Sequence, residues 1–307
     1  MIADRAVHQG DRLVVAIIAE RRHLGNRALY GARASLESAG CLVPLVVPDA
    51  GTLMDIPSSA PPWDAVLSRG RDLAGLGMLA AAAALGVLAI NSTRSIELVR
   101  NKIAMQAVLL SHGLPVPRTH FASDPRIFAD LEPARFPMVV KPFDGDGARG
   151  LALLTKPSDV GLLAPPSGPR TLYLAQEFLE TDGYDLKLYG IGSDVWAVRK
   201  ASPVRFLGPG PVTLAPTDEA RRVELDASLR DIALTCGRAC GLELWGVDVA
   251  LTPRGPYVIE VNDFPTYSAV PEAGAAIADH VLALTRLRAL SRAQGRERML
   301  TILRDPP

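Results

Sequence analysis

Three oxygen-bearing side chains in the last third of the chain, Asp248, Glu260 and Asn262, have the types and spacing of a site for a hard cation. Glu260 and Asn262 are separated by one residue in YVIEVN, so on a strand they share a face, while Val258, Ile259 and Val261 supply apolar packing. Asp248 lies in the apolar run WGVDVAL, and the turn from Thr252 to Gly255 makes the two runs a hairpin. Antiparallel pairing then brings all three to one end of a sheet. Two carboxylates and an amide oxygen suit magnesium or manganese held jointly with nucleotide phosphates. Left as buried charges without a cation they would cost on the order of several kcal/mol; as solvated strand ends they would do nothing.

Lys141 ends the strand MVVK and is followed by PFDGDGARG, which carries Gly145, Gly147 and Gly150 around Asp146 and Arg149. Such a loop brings backbone N–H groups close to phosphate oxygens, with the lysine as a point charge at its base. The same glycines would also serve an ordinary turn. In LAQEFL, Gln176 and Glu177 stand where an apolar strand meets a polar break, an arrangement that would offer backbone groups to an adenine edge and a carboxylate to a ribose hydroxyl. Lys187, Arg199 and Lys200 come from the next two strands and either converge on anions or form a solvated basic face.

These residues need elements to hold them. The first 90 residues alternate apolar runs (LVVAIIA, CLVPLVV, DAVLSRG, VLAIN) with a helical stretch near 26–39 and an Ala-rich helix before VLAIN, the pattern of a parallel sheet covered on both faces. No glycine-rich fingerprint follows the first strand, whose turn is AERRHLGN, so a nucleotide site there is weakly supported. From Ser92 as a helix cap, Ile96, Val99, Ile103, Ala107 and Leu110 fall at helical spacing, and Gly113 and Pro115 close that helix. Strands FPMVVKP, LYLAQEFL and DLKLYGIGSDVWAVRKAS follow, joined by turns at Asp182-Gly183 and Gly192-Ser193. Pro203 to Pro216 is too rich in glycine and proline for regular structure and is expected to cover a site. A helix at about 218–240 precedes the hairpin.

Taken in order, Lys102, Lys141 with its glycine loop, GlnGluPheLeu, a basic strand residue and Asp…Glu-x-Asn resemble the ATP-grasp superfamily over about residues 91–283. The resemblance implies an α/β plus α+β chain. Residues 1–91 would form a preceding α/β domain, 92–180 a small ATP-grasp module and 181–307 a C-terminal module with the magnesium site. It further implies that Lys102, Lys141 and the loop residues Gly145, Asp146, Gly147, Arg149 and Gly150 contact ATP phosphates. Gln176, Glu177, Phe178 and Leu179 would take adenine and ribose. Asp248, Glu260 and Asn262 would hold magnesium (or manganese), and Lys187 and Arg199 would face the transferred phosphoryl or the acceptor. The loop departs from the family's Gly-Ser-x-Gly-x-Gly, with Asp146 at the serine position and Ala148 at the second glycine. An aspartate beside a triphosphate needs Arg149 or a metal to neutralise it.

Within the superfamily, GLPVPRT and GVDVAL…GPYVIEVN resemble the RimK-like and glutathione synthetase-like ligases. That branch implies carboxylate–amine or carboxylate–thiol ligation through an acyl phosphate, releasing ADP and phosphate. NDFPTYSAVPE is also similar to the inositol polyphosphate kinase branch, which implies a small-molecule kinase. An ATP-binding protein without chemistry is a third alternative, encouraged only by Asp146.

Composition limits the partners. The chain has 33 basic and 33 acidic residues in 307, so no global field draws it to nucleic acid or an anionic membrane; a small, anionic acceptor is expected from Lys187 and Arg199 facing it, as the resemblance implies. Leu13 to Ala19 is too short to span a bilayer, and Leu73 to Ile90 is an Ala/Gly stretch suited to packing on a sheet. Three cysteines, Cys41, Cys236 and Cys240, lack a His or acidic neighbour to complete a metal site, and they suit buried positions in a reducing, cytoplasmic compartment. A homo-oligomer is compatible with all of this.

Overall fold

The computed structural model of the protein describes residues 12–48, 55, 56, 58–143, 145, 150–163, 172–202, 210, 211 and 220–304. Asp146, Gly147 and Arg149 of the glycine loop lie outside these, as does the Pro203–Pro216 segment apart from 210 and 211. The chain divides into two compact units, residues 1–94, 242–244 and 270–307 in the first and 95–241 with 245–269 in the second.

The first unit is built on the expected parallel sheet. Strand β1 (Val15–Ala19) is followed by α1 (Arg27–Ser38), β2 (Leu45–Val46), β3 (Ala65–Arg69), α2 (Leu73–Ala84) and β4 (Leu88–Ile90). The strand order is β2-β1-β3-β4, every pair parallel. All residues of β1 and β3 are buried, and Val15–Ala19 and the first three residues of β3 accordingly run apolar rather than alternating. Asn26 and Asp72 cap the two helices, accepting from the Leu29 N–H at 2.9 Å and the Gly75 N–H at 2.6 Å.

In the second unit the helix expected to run on from Ser92 is broken. Helix α3 (Thr93–Arg100) stops and α4 (Lys102–Ser111) begins after Asn101, whose side chain accepts from the Ala104 N–H at 3.1 Å. The break shifts the buried stripe of α4 to Lys102, Met105, Gln106 and Leu109, leaving Ala107 and Leu110 exposed. A side-chain cap inside an apolar repeat restarts the helix in a new phase, and it sets Lys102 at the first position of α4.

Strands β5 (Thr119–Ala122), β6 (Met138–Pro142), β7 (Ala152–Leu154) and β8 (Tyr173–Glu177) follow, then β9 (Tyr184–Ile191), β10 (Asp194–Ala201), β11 (Gly210–Pro211) and β12 (Arg221–Val223). Helix α5 (Ala227–Cys240) leads to β13 (Leu244–Thr252) and β14 (Gly255–Asp263). They form two five-stranded sheets, β11-β7-β6-β8-β5 and β12-β10-β9-β13-β14. One face of the first packs Met138, Val140, Leu154 and Ala175 on Phe128. In the second, the Trp245 side chain packs against Gly190 of β9 and Gly237 of α5, where a Cβ would come within 2.1 Å and 2.7 Å of the indole.

The last helix, α6 (Ala273–Arg304), corrects the expectation that 181–307 form one module, because residues from 270 onward belong to the first unit. It packs on α1 where two glycines meet: a Cβ on Gly274 would stand 2.7 Å from the Gly31 Cα. His280 supports it at 2.7 Å from the Glu243 carboxylate. Cys41, Cys236 and Cys240 are buried free thiols. Among the described residues, no helix is long and apolar enough to cross a membrane.

Candidate functional site

The hairpin forms as its sequence requires. Asp248 of β13 stands directly opposite Glu260 of β14, Gly246 stands opposite Asn262, and the pairing register shifts between Asp248 and Val249. The bulge leaves Ile259 without a direct partner, so the strand keeps Val258 and Val261 buried while Glu260 and Asn262 stay half-buried. Asp263 continues the strand and is clasped by Arg100, with Nη2 at 3.0 Å from Oδ2.

Cations from three different elements close on this pair. Lys102, only 5% exposed, donates from α4 to the Glu260 carboxylate. Lys187 donates from β9 to Asp248. Lys141, at the end of β6, feels both carboxylates and Lys102. Burial pushes the Lys141 ammonium down, Glu260 and Asp248 only partly offset this, Lys102 adds to it, and the result is about 8. Burial alone would raise Glu260, but Lys102, Lys141 and Lys187 together hold it below its usual range. Burial alone would lower Lys187, but the charge and hydrogen bond of Asp248, with Asp185 and Tyr189, together outweigh it and raise the group.

Sequence order alone does not show that Gln176 belongs with Lys141. The register Val139↔Gln176 and Lys141↔Leu174 puts both on one face of the small sheet. Gln176 is buried, and its amide donates to the Thr119 hydroxyl at 3.0 Å. Gln106, one turn along α4 from Lys102, donates to the same hydroxyl at 2.7 Å. At the end of β8, the Glu177 and Phe178 amides donate to the Arg118 and Pro137 carbonyls, and Leu179 is buried. The Glu177 carboxylate is held by Arg254 at 2.6 Å. Of the glycine loop, the Gly145 N–H turns back to the Pro142 carbonyl at 3.2 Å. Gly150 sits at φ 72°, where a Cβ would meet the Pro142 ring at 2.8 Å.

Arg199 is not brought to this cluster. Lys187 pairs with Val198, so Arg199, which pairs with Leu186, projects from the opposite face of the sheet. There it binds Asp182 at 2.7 Å and lies 3.5 Å over the Tyr184 ring. The sequence reasoning passed over Asp185, which shares the face of Lys187 two residues away. Burial raises its carboxyl to about 6 against the pull of Lys187, with Asp248 adding to the rise. Its spacing from Lys187 was the available signal.

The NDFPTY segment that resembled a kinase branch has a packing role. Phe264 and Tyr267 are each 3% exposed, their rings meet edge to face at 6.3 Å, and the Tyr267 hydroxyl donates to the Gly190 carbonyl at 3.0 Å.

The side-chain oxygens of Asp248, Glu260 and Asn262, from facing strands, are the donor type that a hard divalent cation takes. Comparison with known proteins identifies the family. Residues 99–284 match the RimK-like ATP-grasp domain. A protein of Shewanella loihica named probable alpha-L-glutamate ligase is 30% identical over 220 residues, 69% of this chain and 72% of that one. Another so named, from Parasynechococcus marenigrum, is 30% identical over 186 residues, 59% of this chain; the match spans 40% of that relative's length. The crystal structure of the D-cycloserine synthetase DcsG shares the fold, with a TM-score of 0.70 at 18% identity over 89% of this chain and 99% of that one. The match to the RimK-like domain covers more than half of the sequence, and the chain belongs to the RimK-like ATP-grasp proteins.

Proposed function

We propose that this protein is an ATP-dependent carboxylate–amine ligase working through an acyl phosphate. The observation that carries the reading is the convergence of Lys102, Lys141 and Lys187, from α4, β6 and β9, on Asp248 and Glu260. Phosphoryl transfer asks a protein for positioning and charge neutralisation rather than a nucleophile of its own, and this cluster is made of such parts. Lys102 and Lys141 bind the nucleotide phosphates, and the residues from Gln176 to Leu179 bind adenine and ribose. Lys187 is placed for the transferred phosphoryl. Asp248, Glu260 and Asn262 would hold magnesium or manganese, which when bound neutralises phosphate charge.

In the reaction a substrate carboxylate oxygen attacks the γ-phosphorus and ADP leaves. The amine nitrogen then attacks the carbonyl carbon, phosphate leaves, and one amine proton is released. The name shared by the relatives supports glutamate as one substrate, with a small molecule or a peptide as the other.

The test is incubation with ATP, magnesium and pooled amino acids. Amine-dependent release of both ADP and phosphate is expected. ADP with the phosphate retained on a product would make the protein a kinase, and AMP with pyrophosphate would contradict both.

A further inference from the structure

Thr119 has no part in the proposed reaction, yet three polar groups meet at its hydroxyl. It opens β5, at the edge of the first five-stranded sheet, and stands directly opposite Gln176 of β8. The hydroxyl donates to the Pro117 carbonyl at 3.0 Å. A carbonyl only accepts, so the single hydroxyl proton is used there and the oxygen keeps its lone pairs for the two amides. Gln106 Nε2 takes one at 2.7 Å, and its orientation is fixed independently because it also donates to the Pro117 carbonyl at 2.6 Å. Gln176 Nε2 takes the other at 3.0 Å. With its proton committed, the hydroxyl can receive Gln176 only through the amide nitrogen.

The consequence lies at the other end of the same carboxamide. With its nitrogen turned to Thr119, Gln176 directs Oε1 away from it. Among the described residues that oxygen receives no hydrogen bond, and it is not sealed from solvent although the residue as a whole is buried. Gln176 shares its face of the sheet with Lys141, opposite the face that packs Met138, Val140 and Ala175 on Phe128. A free carboxamide offers a donor or an acceptor by turning half a circle. Held in this way it offers an acceptor only. The 6-amino group of adenine brings a donor to such an oxygen, whereas the 6-oxo group of hypoxanthine or guanine brings a second acceptor.

We infer that Thr119 is a positioning residue that makes the nucleotide site select 6-aminopurines over 6-oxopurines, by holding the Gln176 carboxamide with its nitrogen turned in and its oxygen turned to the base. Gln106 and the Pro117 carbonyl hold Thr119 in turn. The inference rests on the reading of Gln176 to Leu179 as the segment that binds adenine and ribose. Thr119 itself touches no substrate in it.

Calorimetric titration of the full chain with ADP and with inosine diphosphate, both in magnesium, tests it. The wild type should bind ADP at least about tenfold more tightly, because a site built to meet an N–H rejects the analogue that lacks it. Thr119→Val keeps the volume and removes the hydroxyl, so the carboxamide is free to turn its nitrogen to the 6-oxo group. Affinity for inosine diphosphate should then rise, and the preference for ADP should shrink at least about fivefold. Thr119→Ser should keep the wild-type preference. A gain for inosine diphosphate is the signature, since a merely structural role would weaken both nucleotides together. Thr119→Ala gives the same reading if the valine variant does not fold. An unaltered preference in Thr119→Val and Thr119→Ala, equal losses for both nucleotides, or no preference in the wild type overturns the inference. If Gln176→Leu abolishes a preference that the Thr119 variants retain, Thr119 has no such role and the adenine segment stands. If Gln176→Leu binds both nucleotides as the wild type does, or the wild type binds neither, the adenine reading of that segment falls and the inference falls with it.

Discussion

Asp248 and Glu260 face each other directly across the β13–β14 hairpin, and each carboxylate is already held by a lysine from a different element, Lys187 of β9 and Lys102 of α4. Two carboxylates so close would repel if both were charged and alone. Lys102, Lys141 and Lys187 hold the Glu260 carboxyl below its usual range, so acidic oxygens and ammonium groups are present in the same small volume.

The Lys102–Glu260 pair is largely removed from water, with side chains 6% and 22% exposed. Removing one partner of such a pair costs about 3–5 kcal/mol in buried cases, and somewhat less is expected here because Glu260 keeps some solvent. Lys102→Met should therefore destabilise more than the double variant Lys102→Met/Glu260→Gln. Urea unfolding of the two singles and the double gives the coupling, and a double variant no more stable than Lys102→Met would remove the pair as a unit.

Lys141, lowered by burial to about 8 from 10.5, is partly neutral at pH 8. A phosphate placed against it favours the charged form, so nucleotide binding near pH 8 should take up protons, and affinity should fall as pH rises through about 8. Calorimetry in buffers of different ionisation enthalpy measures the uptake. Lys141→Met should abolish it, and equal uptake in wild type and variant would take Lys141 out of the phosphate site.

Arg199 and Lys187 should behave differently although their strands are neighbours. Arg199→Met loses an exposed pair with Asp182 worth roughly 0–1 kcal/mol, and it should leave the Michaelis constants for ATP and acceptor unaltered. Lys187→Met should lower acceptor-dependent turnover at least about tenfold, by analogy with losing one electrostatic stabiliser. Loss of turnover in Arg199→Met at unchanged melting temperature would return that residue to the acceptor site.

Gly190 lies beneath the Trp245 indole, with atoms 2.1–2.6 Å from where a Cβ would be. Gly190→Ala should cost at least about 1–3 kcal/mol by overpacking, measured as a drop in the denaturant midpoint. Its carbonyl also receives the Tyr267 hydroxyl. Wild-type stability in the alanine variant would mean that the indole has room to move.

Glu20 gives a pH signature in the first unit. Burial alone would raise its carboxyl, but the Arg22 side chain and the Arg71 and Asp72 N–H groups hold it at about 2, against 4.5 ordinarily. A folded value below the unfolded one contributes stability that is fully present above about 4.5 and is lost as pH falls toward about 2. Glu20→Gln should flatten that part of the stability profile, followed by urea midpoints between pH 5 and pH 2, relative to wild type. Parallel profiles would show that the three donors do not hold the carboxylate.

Much of this protein is determined locally and was legible. Continuous apolar runs made β1 and β3 buried parallel strands, and the period of two put Glu260 and Asn262 on one face whatever surrounds them. The order of lysines, glycine loop and acidic hairpin was enough to bring out the family. The separation of Lys187 from Arg199 was also within reach. The two-residue turn Gly192-Ser193 pairs Ile191 with Asp194, and counting back along both strands puts Arg199 opposite Leu186. Other features depended on tertiary structure. The Lys102–Glu260 and Lys187–Asp248 pairs join residues 158 and 61 positions apart, and nothing local selects which lysine meets which carboxylate. Asn101 looked like one more polar residue in a helical repeat until its side chain was seen to cap a new helix. The return of α6 to the first unit depends on Gly31 and Gly274 meeting with no Cβ between them. Such contacts arise from shape and burial summed over the folded chain, so side-chain periodicity along one segment carries no record of them.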